Sequence, residues 1–179
     1  MAITYYIIKL PDRETLPTMF LTFDIFAGGC AINTQMVLYA DTDLFADQIS
    51  TTLKKSSYRH CKVSSIDDTH SATENIDNFT KHFLPGPGIP LLIWSKKEVP
   101  QNLQVGGLAF MEVPRDRNGG LDSAFFHNFA ASVQAKHAYC IATTEEELVL
   151  WSSLGLVVEQ FCFDTPHQYH DFINSLEAA

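Results

Sequence analysis

The spacing of hydrophobic and polar positions divides the first half of the chain into short alternating elements. Apolar residues that recur every three or four positions indicate helices, and β-branched or aromatic runs indicate strands. The pattern predicts, in chain order, a strand at 3–9, helices at 13–26 and 43–55, a short strand at 59–66, and a polar loop at 67–78 with one helical turn near 79–83.

The second half begins at the strongest break in the chain, Pro85-Gly86-Pro87-Gly88. Two strand-like runs, 89–95 and 104–113, are joined by a polar turn at 96–102, which suits an antiparallel hairpin. The remaining pattern predicts a helix at 121–133, a strand at 137–142, a helix at 145–154, a strand at 156–163 and a last helix at 167–177. Because each side of the break is too small for a core of its own, one domain over 1–179 is expected.

Composition narrows the class of protein. The chain has 179 residues, of which 46% are hydrophobic, and its formal net charge is -9. No apolar run is long enough for a membrane span, and four widely separated cysteines suit a reduced, cytoplasmic protein. The acidic balance argues against a surface that follows nucleic-acid phosphates, so neither a nucleic acid nor a membrane is expected as a partner. The dense basic pairs are Lys54-Lys55 and Lys96-Lys97.

The order of elements and a glycine-rich turn together suggest a family. Arg117-Asn118-Gly119-Gly120-Leu121-Asp122-Ser123 falls between a strand and a helix, where backbone N–H groups can face a diphosphate. This arrangement resembles the GNAT superfamily of acyl-CoA-dependent N-acyltransferases. The resemblance implies an α/β fold with a mixed, partly antiparallel central sheet flanked by helices, and an extra C-terminal helix.

The same resemblance implies a cofactor and its contacts. Acetyl-CoA or another acyl-CoA would be held by the turn through Arg117, Asn118, Gly119, Gly120, Asp122 and Ser123, and by the strand positions Met111 and Val113. Asp122 stands where the family has glycine, and its carboxylate would repel the diphosphate. That departure places coenzyme binding in question.

Two residues take the catalytic positions of the family. Glu112 lies in the strand beside the expected reaction centre, where a carboxylate accepts the proton of the amine. Leu150-Trp151-Ser152-Ser153-Leu154-Gly155-Leu156 is similar to a family segment that carries a tyrosine as proton donor to the departing thiolate. Trp151 occupies the tyrosine position, and an indole N–H donates a hydrogen bond without supplying a proton.

Three functions remain open at this point. The leading expectation is acyl transfer to a small-molecule or protein amine. The second is a GNAT-like fold without acetyl transfer, either a binding protein or an enzyme with different chemistry, because of Asp122 and Trp151. The third is a metal-dependent hydrolase that uses His167 and His170, although no third ligand has motif spacing with them. The sequence does not indicate an oligomeric state.

Overall fold

A computed structural model describes most of the chain: residues 3–13, 36–55, 61–65, 69–83, 85–86, 89–101, 103, 105–156 and 158–177. The helix expected at 13–26 lies outside these residues, apart from Arg13. Within the described ranges, no helix is long and apolar enough to cross a membrane.

The described strands form one seven-stranded sheet in which every pair is parallel. The order across the sheet is β3-β4-β2-β5-β6-β1-β7. The strands are β1 (Thr4–Lys9), β2 (Met36–Tyr39), β3 (Cys61–Ser65), β4 (Ile89–Trp94), β5 (Gly107–Phe110), β6 (His137–Ala142) and β7 (Val158–Cys162).

Helices cover both faces of the sheet. The described helices are α1 (Asp43–Lys55), α2 (Ala72–His82), α3 (Ser123–Val133), α4 (Glu145–Ser152) and α5 (Pro166–Glu177). Phe45, Ile49 and Leu53 of α1 pack into one core with Phe172 of α5, whereas α2, α3 and α4 pack into a second core on the opposite face. The fold is therefore a doubly wound α/β sheet.

Burial on both faces explains the parallel arrangement. All four residues of β2, and all four of β5, are buried. Strands that are covered by helices on both sides read as continuous apolar runs rather than alternating ones, and such runs are typical of parallel sheets. The helical crossovers between these strands return the chain to the same edge each time.

The prediction of a partly antiparallel sheet is therefore wrong. It depended on the hairpin expected between 89–95 and 104–113. Strands β4 and β5 are not partners, because β2 lies between them and pairs with both in parallel. The polar turn at 96–102 looked like a hairpin loop, but it begins a connection that carries the chain from one edge of the sheet to the other. Strand β5 instead pairs in parallel with β2 on one side and with β6 on the other.

Most other elements agree with the pattern, and two were missed. The helices at α1, α3, α4 and α5 and the strands β1, β3, β6 and β7 are confirmed within a few residues at their ends. Strand β2 was not predicted. Helix α2 lies where the polar sequence predicts a loop, and Ser71 and Glu74 form a reciprocal capping box at its start.

The start of β6 carries a histidine whose protonation should destabilise the fold. The Nδ1 atom of His137 is buried, and no described residue lies within hydrogen-bonding distance of it. Burial first, and the neighbouring Lys136 second, lower the pKa of His137 below its ordinary value. The unfolded chain therefore binds this proton at a higher pH than the folded chain does.

We expect the free energy of unfolding to be fully retained above about pH 7 and to fall as the pH drops through about 6.5. His137→Phe keeps the ring beside Tyr6 and removes the titrating group, so it should flatten this dependence. Urea unfolding at several pH values measures it, with the exposed His127→Gln as control. An unchanged slope in His137→Phe would contradict the assignment.

Candidate functional site

The loops that follow β1, β2, β5 and β6 meet at the carboxyl edge of the sheet. They enclose a cleft of about 310 Å³, the carboxyl-edge cleft, whose charged lining residues are Arg13, Asp41, Glu112, Arg115, Glu146 and Glu147. Ligands of open α/β sheets bind beyond the carboxyl ends of the strands. Position and charge together make this cleft the candidate site.

A second groove of about 360 Å³ lies beside α3. Among the described residues it is lined by Val99, Gln101, Asn128, Ala131 and Ser132, none of which is ionisable. It is larger than the carboxyl-edge cleft, but it offers no charged group to orient a ligand. We therefore place the site at the carboxyl edge.

Glu112 is the buried centre of the cleft. Its Oε1 accepts hydrogen bonds from the backbone N–H groups of Asp41 and Thr42, at 3.0 and 3.1 Å, and from the Thr42 hydroxyl at 3.1 Å. Its Oε2 faces Arg13 Nη2 at 3.3 Å. Thr42 in turn caps α1, because its hydroxyl accepts from Phe45 N–H. Glu112 therefore lies at the positive end of α1, held by donors of the chain itself.

Asp41, on the adjacent loop, also accepts several hydrogen bonds from the chain. Its Oδ1 accepts from the Tyr39 hydroxyl at 2.8 Å, from Lys97 Nζ at 2.6 Å and from Arg115 N–H at 3.2 Å. Burial first, and Asp41 itself second, raise the pKa of Tyr39 well above its ordinary value, so the phenol remains a donor. The Lys97 ammonium also lies 5.1 Å from the centre of the Phe125 ring.

The two carboxylates connect the same pair of loops in opposite directions. Asp41 follows β2 and accepts from the backbone of the loop after β5, whereas Glu112 follows β5 and accepts from the backbone of the loop after β2. We call this pair, Asp41 and Glu112, the carboxylate brace. It fixes the two loops that form the floor of the cleft.

The outer part of the cleft holds more exposed ion pairs. The Arg13 side chain is 51% exposed, and its guanidinium lies 4.3 Å from the centre of the Phe45 ring. Arg115 Nη2 lies 2.7 Å from Glu146 Oε1, and the Glu146 side chain is 69% exposed. These three groups, Arg13, Arg115 and Glu146, form the rim of the cleft, where a ligand can reach them.

Glu147 closes the side of the cleft formed by β6 and α4. Its Oε1 accepts from Thr143 N–H and from the hydroxyls of Thr143 and Thr144. The Thr144 hydroxyl also accepts from Glu147 N–H, which caps α4. Only the rim carboxylate Glu146 is left mostly open to solvent.

In the turn that was expected to hold a diphosphate, backbone N–H groups donate to a carboxylate of the same turn. Asp116 Oδ1 accepts from the N–H groups of Asn118 and Gly120, both at 2.9 Å. Gly119 adopts a φ of 82°, which suits the absence of a side chain there. Asp122 caps α3 by accepting from Phe125 N–H at 3.1 Å. Arg117 is exposed in the same turn, and Ser123 begins the helix.

The other positions chosen from the sequence are mostly core. Trp151 is 1% exposed, and its indole N–H donates to the Ile141 carbonyl at 2.9 Å. Met111 and Val113 are 2% and 1% exposed, on either side of Glu112. Of the residues singled out beforehand, only Glu112 and Val113 line the cleft.

The residues that surround Glu112 were not predicted from the sequence. Asp41, Arg115 and Glu146 each follow a buried strand, and the carboxyl ends of parallel strands meet at one edge. Their position after buried strands could have indicated a site, but only once β2 is recognised as a strand and the sheet is known to be parallel.

Comparison with known proteins defines the class of fold. The sequence matches no protein-family model and no curated protein. The structure matches solved structures of a RecA-like α/β domain. At the identities found, this likeness shows the fold alone.

The matched structures include several of the DEAD-box protein Dbp5. A variant C-terminal domain from S. cerevisiae, bound to Gle1 and IP6, has a TM-score of 0.72 and 12% identity, and the match covers 99% of this chain and 100% of that one. Another structure of the Dbp5 C-terminal domain has a TM-score of 0.71 and 12% identity, and the match covers 99% of this chain and 98% of that one. S. cerevisiae Dbp5 bound to RNA and ADP BeF3 has a TM-score of 0.66 and 12% identity. That match covers 98% of this chain but 45% of the other.

These findings correct the acyltransferase interpretation. A GNAT sheet contains antiparallel strands, whereas every described strand pair here is parallel. The expected acyl-CoA cofactor is corrected with it, and so are the amine acceptor and the exclusion of nucleic acid, since the matched structures contain RNA, a nucleotide or a protein partner. The assignment of Trp151 to the family's proton-donor position had depended on that resemblance.

We expect Trp151 to contribute to stability. Trp151→Phe keeps an aromatic ring but leaves the Ile141 carbonyl without its donor, so the free energy of unfolding should fall by about 1–3 kcal/mol. Urea unfolding measures the change, and Val149→Ala on the exposed face of α4 is the control, expected within about 0.5 kcal/mol of wild type. Equal stability of Trp151→Phe and wild type would refute a structural role for the indole N–H.

Proposed function

We propose that this chain is a protein-interaction domain with a RecA-like fold, and that its carboxyl-edge cleft receives a basic segment of the partner protein. One matched structure of domain length, the C-terminal domain of Dbp5, is bound to a protein, Gle1, together with IP6. That complex supports protein binding by a domain of this size and fold.

The observation that carries the proposal is the charge of the carboxyl edge. Carboxylates outnumber cations by about two to one in the described loops and first helical turns that follow the strands. The carboxylates are Asp12, Asp41, Asp43, Glu74, Glu98, Glu112, Asp116, Asp122, Glu145, Glu146, Glu147 and Asp164, and the cations are Arg13, Lys96, Lys97, Arg115 and Arg117. Such an excess attracts a cationic partner and speeds its approach.

The arrangement of these charges suits binding. The brace and Glu147 are fixed by donors of the chain, so their positions are set before a partner arrives. Glu146, by contrast, is exposed and holds Arg115 through one oxygen. Exposed ion pairs contribute little to stability, so Glu146 can exchange or share its cation with an incoming guanidinium at small cost. Arg115 keeps its hydrogen bond to the Gly119 carbonyl during that exchange.

A cytoplasmic location fits this proposal. Cys140 and Cys162 are free thiols, the first buried and the second exposed. Free thiols persist in reducing compartments.

The test uses a fluorescent arginine-rich peptide as the probe. We expect wild type to bind it at low salt, and the double variant Glu145→Gln, Glu146→Gln to bind it about fivefold more weakly, which corresponds to about 1 kcal/mol. Fluorescence anisotropy measures both affinities. The control pair Asp77→Asn, Glu159→Gln removes two exposed carboxylates elsewhere and should leave binding close to wild type.

Two results would contradict the proposal. Equal affinities of wild type and the Glu145→Gln, Glu146→Gln variant would exclude the carboxyl edge as the site. The same loss in both double variants would show that the peptide senses only net charge.

A further inference from the structure

The opposite edge of the sheet carries the reverse charge. Two long stretches of the sequence, 48–66 and 78–97, contain no aspartate or glutamate, although the chain as a whole has 21 acidic residues. The first stretch includes the Lys54-Lys55 pair. In a chain of net charge -9, a region with lysines and no acidic residues has a locally positive electrostatic potential.

The topology brings cations of both stretches to one place. Helix α1 leads into β3 and helix α2 leads into β4, and β3 and β4 are adjacent parallel strands. The two helices therefore end at the same amino edge, on opposite faces of the sheet. The described cations there are Lys54, Lys62, Lys81 and His82, which we call the amino-edge patch.

The patch is open to solvent, and Asp77 of α2 precedes Lys81 by one helical turn. Lys54, Lys81 and His82 are exposed, and Lys62 Nζ donates to the Pro85 carbonyl at 2.9 Å. No carboxylate among the described residues forms an ion pair with these side chains. At the carboxyl edge, by contrast, three of the five described cations, Arg13, Lys97 and Arg115, are paired.

Helix stability accounts for part of this arrangement. A lysine in the last turn of a helix compensates the negative end of the helix dipole, and α2 ends with Lys81 and His82. The dipole does not account for Lys62, which lies in a strand, or for the lack of acids through both stretches. The patch therefore has cationic charge beyond what the helix ends require.

The surroundings of the patch distinguish between kinds of anionic ligand. The centre of a protein interface is enriched in apolar side chains, and the described large apolar side chains that are strongly exposed, Leu44 and Val149, lie away from the patch. The exposed neighbours on α1 are Thr51 and Thr52. Lysines among hydroxyls suit phosphate groups, which need point charges and hydrogen bonds rather than apolar contact.

We infer that the amino-edge patch binds the phosphodiester backbone of a nucleic acid. Lys54, Lys62 and Lys81 would neutralise about three phosphates, so binding is weak, independent of base sequence and strongly dependent on salt. This inference goes beyond the proposed protein binding, because it concerns the opposite edge of the sheet and a different partner.

The experiment measures binding of a labelled single-stranded RNA of about 12 nucleotides by anisotropy over a range of salt concentrations. Three phosphate contacts predict a slope of log K against log salt concentration of about -2. Lys54→Gln, Lys81→Gln should reduce the slope to about -0.7 and weaken binding at least tenfold at about 50 mM salt. Lys54→Arg, Lys81→Arg should retain both.

The matched control is Lys96→Gln, Arg117→Gln, which removes the same charge from half-buried and exposed positions at the carboxyl edge and should bind RNA as wild type does. Equal losses in both glutamine pairs, or no salt-dependent RNA binding by wild type, would overturn the inference. Tighter binding of a poly-glutamate peptide than of RNA would also overturn it, in favour of an acidic protein. The arginine-rich peptide should still bind the Lys54→Gln, Lys81→Gln variant, so the two proposals fail separately.

Discussion

The carboxylate brace is the interaction on which the rest of the site depends. Two adjacent parallel strands, β2 and β5, end at the same edge, and their following loops would carry unpaired N–H groups there. Glu112, which follows β5, accepts from N–H groups of the loop after β2. Asp41, which follows β2, accepts from an N–H group of the loop after β5. The brace also holds Arg13, Lys97 and the first turn of α1. Because the loops are fixed in this way, the cleft can present its rim charges in one arrangement.

The direction of the strands also organises the charge of the molecule. Parallel strands collect all the loops after strand ends at one edge and all the helix ends before strand starts at the other. Among the described residues, the first edge has an excess of carboxylates, and the amino edge at β3 and β4 has lysines that form no ion pair with a carboxylate. Two oppositely charged surfaces on one small domain suit a protein that holds a basic partner at one edge and a phosphate polymer at the other.

Local signals were sufficient for most elements and not for their arrangement. Helix α3 and strand β6 follow from apolar spacing alone. The sheet order could not be read in this way, because β4 and β5 are neighbours in sequence while β2 separates them in space. Glu112 was chosen for a catalytic role in another fold, and its real contacts, Asp41 and Thr42, are 71 and 70 residues away in the chain. The glycine-rich turn resembled a phosphate loop, but Asp116 inside it occupies the donors.

A double-mutant cycle of Asp41→Asn and Glu112→Gln tests the brace most directly, because it measures the free energy of coupling between the two carboxylates. If each carboxylate fixes the loop that presents the other, removing one weakens the contribution of the second. Urea unfolding of wild type, both single variants and the double variant should give a coupling of about 1 kcal/mol or more. Additive losses, equal within about 0.3–0.5 kcal/mol, would contradict the account.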